Sequence, residues 1–416
     1  MKLKSDSINK CYSTRYLSLT ILFILSCTSV LICSAQQQKQ QQIKRINGTR
    51  IRVDSLNKYL PELMRKAKVP GLGIVIFNKN HAVYKRTFGY SRADKQLLLK
   101  STTNIYGASL SKSVFAVLVM KLVEQGKLDL DKPLQEYLSS PIYEYLHLKR
   151  WHDDYSSLKG DNLYQKITAR MCLDHTSGFP NWRWDLPDQK LKVLQTPGKR
   201  YSYSGEGMVY LQVVLEKMTG KSLEQLAREI IFTPLKMKNS AYTFLPSFEH
   251  DYSFGHNSKG EIYEKDKDNE ARAPSTLETT LDDLSLFIEG VMQKKIINSK
   301  STTEIFRPQI RIRSVLQMGP LSQKDTDAYD PLQLSYGLGF GLLKSPYGWG
   351  AFKEGHGDGF QHYMILFPEQ GTGILIMTNS DNGESIFKEL LELTIADKYT
   401  PWKWQQYIPY DNQLYR

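Results

Sequence analysis

Between residues 53 and 67, apolar side chains recur every three or four positions, which predicts a helix with one buried face that ends before Pro70. Residues 71–77 and 82–88 alternate as two strands around the turn Asn78-Lys79-Asn80. A strongly apolar stretch over 111–125 predicts a helix closed by Gly126. Residues 141–161 are polar and aromatic and read as a loop or insertion. Helical patterns follow at 207–219 and 222–231, separated by Gly220, and again at 281–292. Residues 307–334 are irregular, polar and interrupted by proline, a candidate loop beside a site. Strands are expected at 337–344, 362–367 and 373–378, and a closing helix at 383–396. Two strands at the start, three at the end and helices between them predict an α/β fold. An antiparallel sheet would be assembled from both chain termini and flanked by helices, with a mainly helical subdomain between. No internal repeat is present.

The N-terminal region follows a different pattern. Lys2, Lys4, Lys10 and Arg15 precede an apolar run from Leu17 to Ser34, and Cys33-Ser34-Ala35 ends it with small residues. This reads as an export signal over residues 1–35, cleaved before Gln36. The run barely reaches the roughly 20 residues of a spanning helix, so a retained membrane anchor is the alternative. Lipidation at Cys27 is a weaker one. Residues 36–47 read as a spacer because Gln36–Gln42 is low in complexity. A catalytic domain over 48–400 and a tail over 401–416 complete the division. Cleavage after Ala35 leaves Cys172 as the remaining cysteine, so no internal disulfide is expected. Cys172 itself, between Met171 and Leu173, reads as a small core residue.

Composition narrows the classes without choosing among them. The 416 residues are 41% hydrophobic and 24% charged, ordinary globular values that exclude collagen-like, wholly disordered and multi-span membrane chains. The net charge of +12 is diffuse, with no basic block or zinc-finger spacing, so no nucleic-acid partner is expected. A basic surface suits anionic cell-envelope material.

Chemistry enters at Ser109-Leu110-Ser111-Lys112, an S-x-x-K pattern. The same pattern begins at Ser7, Ser55, Ser156 and Ser385, so alone it proves little. Ser109 differs in lying at the mouth of the apolar helix. Residues three apart on a helix are neighbours, so the Lys112 amine can reach the Ser109 hydroxyl. The helix N-terminus favours negative charge there. Burial and a nearby cation would keep Lys112 partly neutral, as a proton acceptor must be.

Further segments resemble the serine β-lactamase/DD-peptidase superfamily, in its class C β-lactamase-like branch. Val69-Pro70-Gly71-Leu72-Gly73 is similar to the opening strand, and Ile105-Tyr106-Gly107-Ala108-Ser109 to the approach to the nucleophile. Leu173-Asp174-His175-Thr176-Ser177-Gly178-Phe179-Pro180 resembles the L-x-H-T-S-G-x-P signature. Tyr203-Ser204-Gly205 resembles the second catalytic element, Y-x-N, and Thr279-Thr280-Leu281-Asp282-Asp283-Leu284 the S/T-T-x-x-D-L segment. The likeness runs from about residue 51 to 395.

The resemblance implies an exported serine hydrolase that works through an acyl-enzyme, without cofactor or metal. Its substrate would be a small ester, amide or peptide, with D-amino-acid or peptidoglycan-derived material included. Ser109 would be the nucleophile, Lys112 and Tyr203 the proton-transfer groups, and Lys353 of Lys353-Glu354-Gly355 the third element. His356 of His356-Gly357-Asp358 is the alternative for that element, and Tyr201 the alternative to Tyr203. Backbone N–H groups of Ser109 and His356 would form the oxyanion hole. Lys353 would lower the pKa values of Lys112 and Tyr203 and could bind a substrate carboxylate. Gly205, Glu354 and Gly355 are expected at the substrate. Because Gly205 stands where the pattern carries an amide, efficient β-lactam hydrolysis is not expected. An esterase or weak β-lactamase is the alternative activity, and a catalytically silent envelope-peptide binder the alternative class.

Other residues read as structural. His175 is expected to orient backbone, Glu206 to be a solvated acid at a helix start, and Trp402, Trp404 and Tyr407 to pack the tail. Trp182, Arg183 and Trp184 either wall a cleft or form an exposed loop. His356 and His362 lack a third metal ligand. The sequence carries no signal for an oligomeric state.

Overall fold

The computed structural model describes residues 41–145, 150–267 and 270–412. The export signal and residues 36–40 of the proposed spacer lie outside the described residues. The end of that spacer belongs to the fold. Strand β1 (Gln42–Lys44) pairs antiparallel with β2 (Arg50–Arg52), and Ile43 and Ile46 are buried. The folded unit thus begins earlier than residue 48, because the glutamine-rich composition of 36–42 hides the apolar Ile43 and Ile46 that follow.

Helix α1 (Val53–Ala67) buries Val53, Leu56, Leu60, Leu63, Met64 and Ala67, and Lys68 ends it in the left-handed conformation. Strands β3 (Gly71–Asn78) and β4 (His81–Arg92) form the first hairpin, with short β5 (Leu97–Leu98) at the rim. Near the chain's end lie β8 (Ile310–Arg311), β9 (Ser335–Tyr336), β10 (Gly341–Ser345), β11 (Gly348–Gly357), β12 (Phe360–Phe367) and β13 (Thr372–Thr378). Among the described residues these form one nine-stranded antiparallel sheet, ordered β5-β4-β3-β13-β12-β11-β10-β9-β8. The pairing of β3 with β13, Leu72 opposite Thr378 through Phe77 opposite Gly373, closes the two ends of the chain onto each other. A two-stranded ribbon, β6 (Ile105–Tyr106) with β7 (Glu278–Thr279), lies apart.

Alternation along the central strands divides the core in two. Ile74, Ile76, Ile365, Phe367, Ile374 and Ile376 face α1 and α8 (Phe387–Thr394). Val75, Phe77, Met364, Leu366, Leu375 and Met377 face the helical subdomain. There α2 (Ser111–Glu124) is buried almost all round, so it is a central helix rather than an amphipathic one. Packed with it are α3 (Ala169–Leu173), α4 (Gly205–Thr219), α5 (Leu223–Ala227), α6 (Leu281–Met292) and α7 (Ser299–Ile305). Cys172 lies in that core.

Two departures from the sequence pattern are informative. The strand expected at 337–344 begins at Gly341, because Gly337 N–H donates to Phe340 O in a turn and Gly339 takes a positive φ against α2. Strand β11 went unpredicted because Gly348, Gly350, Gly355 and Gly357 make it look like a loop. A Cβ at Gly350 would lie 3.0 Å from the Phe367 ring, and one at Gly357 2.5 Å from the Tyr106 ring. Those glycines therefore mark close packing on an interior strand.

The tail packs as expected. Trp404 is fully buried among Tyr201, Phe352 and the α1/α8 face, and its Nε1–H donates to Ser314 Oγ at 3.0 Å. Removing this ring leaves a large cavity, so Trp404→Ala should destabilise the protein by about 3–5 kcal/mol. The drop would be read from the midpoint of denaturant unfolding, with the slope unchanged.

Candidate active site

The site lies where α2, β11 and the segment entering α4 converge. Ser109 sits on a tight turn, Ala108–Leu110, that runs directly into α2, and Ala108 takes φ +46° there. Placing a side chain in that region costs on the order of 1–3 kcal/mol, strain that the surrounding packing sustains. One helical turn on, Lys112 is buried, and its Nζ donates to Ser109 Oγ at 3.0 Å and to Pro274 O at 2.9 Å. Burial and then the Lys353 charge draw the Lys112 pKa below its ordinary value, although Tyr203 opposes them.

Tyr203 enters two residues before α4 and lines the cleft with Ser109. Lys353, on β11 and buried, donates to Tyr203 Oη at 3.2 Å. The Lys112 and Lys353 Nζ atoms stand 4.8 and 5.1 Å from the centre of the Tyr203 ring. Burial pushes the phenol up, but the two lysine charges bring it below its ordinary value. Tyr201, the alternative, is buried beside Trp404, and its hydroxyl finds no hydrogen-bond partner among the described residues.

Lys353 is the cation at Tyr203. His356 is partly exposed and pairs instead with Glu384, Nε2 to Oε2 at 3.2 Å. An ammonium has three donors. Those of Lys353 go to Tyr203 Oη, to Glu354 O at 3.0 Å and to Glu354 Oε1 at 2.8 Å. Glu354 thus stands at the ammonium where a substrate carboxylate was expected. Burial disfavours both ions. The carboxylate nevertheless keeps Lys353 above its ordinary pKa, and Lys353 with Gln317 brings Glu354 down to about 2. Gln317 Nε2 donates to Glu354 Oε1 at 2.5 Å.

Gly355 touches no open space. A Cβ there would meet Gly107 O at 3.1 Å and the Ser109 and Leu110 nitrogens at 3.4 Å, so β11 lies directly against the nucleophile turn. Gly357 and Phe360 close a two-residue hairpin as a hydrogen-bonded pair, which makes the next pair, His356 and Gln361, non-hydrogen-bonded to each other. The His356 N–H therefore points away from β12 and is not used in that pairing. Gly355→Ala must shift strand or turn by a few tenths of an ångström. Turnover of an activated ester should fall about tenfold while the melting temperature changes little.

Gly205 is hemmed in as well. A Cβ would lie 2.8 Å from Trp182 Cη2 and 3.0 Å from Asn181 O, so an asparagine does not fit while that loop stays in place. Asn181 Oδ1 accepts the Gly205 N–H at 3.2 Å. Trp182 stacks on Trp184 with ring centres 4.4 Å apart, and both line the cleft, a space of about 420 Å³ bounded also by Tyr106, Arg272, Gln317 and Glu354. Arg183 does not join them. It is buried and forms a two-pronged ion pair with Glu206, Nε–Oε1 at 2.9 Å and Nη2–Oε2 at 2.7 Å. Glu206 is thus a buried structural acid, correcting its reading as a solvated one. The pair anchors the tryptophan loop to α4.

His175 holds backbone, as expected. Its Nδ1 accepts the Ser204 N–H at 3.1 Å, and its ring lies 4.4 Å from that of Tyr203. Burial and the two lysines hold its pKa well down, so it is neutral with the proton on Nε2. Its neighbour Asp174 is buried and accepts from Thr176 N and Oγ1, and burial pushes its pKa up to about 7. The folded pKa exceeds the unfolded 3.8, so this stability is full below that value and is lost as pH rises through about 7. Asp174→Asn should flatten the decline in melting temperature between pH 4 and 8.

Sequence reasoning missed several cleft residues. Pro274 contributes a backbone carbonyl, which no side-chain pattern announces. Gln405 and Gln406 reach the cleft from the tail, and Asn181 follows the signature segment. Gln317 lies in the irregular stretch already marked as flanking a site. His362 is held between Tyr106 O at 2.7 Å and Thr378 N at 3.3 Å and is structural.

Fold and site together define a serine hydrolase of the β-lactamase/DD-peptidase type. The chain belongs to the Beta-lactamase family, whose model matches residues 56–396. It is 24% identical over 338 residues to Penicillin-binding protein 4* of Bacillus subtilis, covering 74% of this chain and 68% of that protein. It is also 24% identical over 239 residues to the D-alanyl-D-alanine-carboxypeptidase/endopeptidase AmpH of Escherichia coli, covering 52% and 57%. The chain thus spans about two thirds or less of the length of these relatives. Among solved structures, it shares its fold with an octameric penicillin-binding protein homologue from Pyrococcus abyssi. That match has a TM-score of 0.65 and 21% identity over 83% of this chain and 78% of that one. The D-alanine carboxypeptidase AmpC from Burkholderia cenocepacia matches with a TM-score of 0.60 and 17% identity over 79% and 93%. No helix among the described residues is long and apolar enough to cross a membrane.

Proposed function

We propose that the protein is an exported serine hydrolase that forms an acyl-enzyme at Ser109 on a small ester, amide or peptide. The observation that carries this reading is the contact between Ser109 Oγ and a buried Lys112 amine whose pKa is drawn down, with Tyr203 and Lys353 alongside. Ser109 Oγ attacks the acyl carbon while its proton passes to the neutral Lys112 amine. The Ser109 and His356 N–H groups receive the developing oxyanion, a contribution of about 3–4 kcal/mol for each donor. Proton transfer through Tyr203, held by Lys353, reaches the departing alcohol or amine as its bond to the acyl carbon breaks. Water then adds to the acyl carbon and gives a proton to the same groups, the Ser109 Oγ–acyl bond breaks to release the carboxylic acid, and the proton returns to Ser109 Oγ. D-amino-acid or peptidoglycan-derived peptides are natural candidates, since the Escherichia coli relative is a D-alanyl-D-alanine-carboxypeptidase/endopeptidase. Export rests on the basic and apolar N-terminal pattern.

An activated nitrophenyl acyl ester tests the nucleophile without asking the cleft to recognise a side chain. Ser109→Ala should lower kcat/KM by about a thousandfold or more, and mass spectrometry of the quenched wild-type protein should show acyl mass on the peptide containing Ser109. Equal background rates in both folded proteins would overturn the assignment in favour of a silent binding protein.

A further inference from the structure

Three basic side chains at the cleft stand beside a carboxylate. Lys353 is paired with Glu354 at 2.8 Å, His356 with Glu384 at 3.2 Å and Arg272 with Glu270 at 3.8 Å. Lys112 is turned toward Ser109 and Pro274 O. All three Lys353 donors are engaged within the protein, and the side chains that line the cleft at that end are Glu354 and Gln317 rather than Lys353, Glu354 being the charged one. Gln317, itself held by its N–H to Trp404 O at 2.9 Å, fixes the carboxylate in place. A second carboxylate brought within about 5 Å of it, in surroundings of effective dielectric about 20, would be disfavoured on the order of a hundredfold by Glu354 alone, and the Lys353 ammonium behind it offsets part of that, leaving on the order of tenfold.

We propose that Glu354 is a specificity-determining residue. By engaging the Lys353 ammonium and presenting its own carboxylate to the cleft, it excludes substrates with a carboxylate beside the scissile bond and selects uncharged or cationic leaving groups. The assignment rests on the acyl-enzyme reading and narrows its substrate class to esters, amides and internal or amine-bearing peptides rather than peptides cleaved next to a free C-terminus.

Three aryl esters with one acyl group test it, their leaving groups being phenol, 3-hydroxybenzoate and 3-(aminomethyl)phenol. With kcat/KM normalised to each ester's uncatalysed hydrolysis, the wild-type protein should favour the phenyl ester over the carboxylate at least tenfold. It should accept the ammonium ester at least as well as the phenyl one. In Glu354→Gln the phenyl-to-carboxylate ratio should fall at least tenfold, whatever happens to the absolute rates. Should that variant fail to fold, the wild-type ratios alone decide. Wild-type ratios near one, or an unchanged ratio in a folded Glu354→Gln protein, would overturn the proposal while leaving Ser109-dependent turnover intact. Absence of Ser109-dependent turnover on the phenyl ester would overturn the acyl-enzyme reading and this one with it.

Discussion

Two lysine side chains buried against one tyrosine are the arrangement on which the rest of the site depends. Two ammonium ions in so dry a place repel each other and lose their hydration, so both cannot stay charged without compensation. The protein resolves this asymmetrically. Lys353 keeps its proton beside Glu354, whereas Lys112 is drawn toward the neutral amine that a serine nucleophile requires. Tyr203, facing both, is eased toward its phenolate. One carboxylate thus separates the protonation of two chemically identical groups.

That division needs positions accurate to a few tenths of an ångström, and three unrelated parts of the chain supply them. Helix α2 sets Lys112 one turn from Ser109. Strand β11 can press against the nucleophile turn because Gly355 has no side chain. The segment before α4 is held by His175, which is kept neutral and so accepts the Ser204 N–H. The buried Arg183–Glu206 pair fixes the tryptophan wall to the same helix. Behind these, the tail reaches the site indirectly, through Trp404 O to Gln317 and from Gln317 to Glu354.

Much of the framework was legible in the sequence. Helices α1 and α6 match their apolar periodicity at both ends, because in each one face meets the core, and the hairpin β3–β4 forms where its two apolar segments flank the turn at Asn78–Asn80, with β3 buried on both faces. The pairing of the N-terminal hairpin with the C-terminal strands was expected, and so was the helical middle. Strand β11 was hidden since its glycines are chosen by what packs against them from elsewhere in the chain. Glu206 was misread for a related reason: an acid at a helix start usually faces water, and only the position of Arg183 buries it.

The sequence by itself determined the identity and local spacing of the reactive groups. Ser109 and Lys112 are neighbours on any helix that begins there, and Lys353 and Glu354 are adjacent by bonding. Only the tertiary structure decided that Lys353 rather than His356 meets Tyr203, that Glu354 occupies its ammonium, and that Trp182 and Asn181 fill the space at Gly205. Periodicity reports whether a side chain faces core or solvent. Which distant partner it meets there depends on strand register and close packing, and no local pattern encodes those.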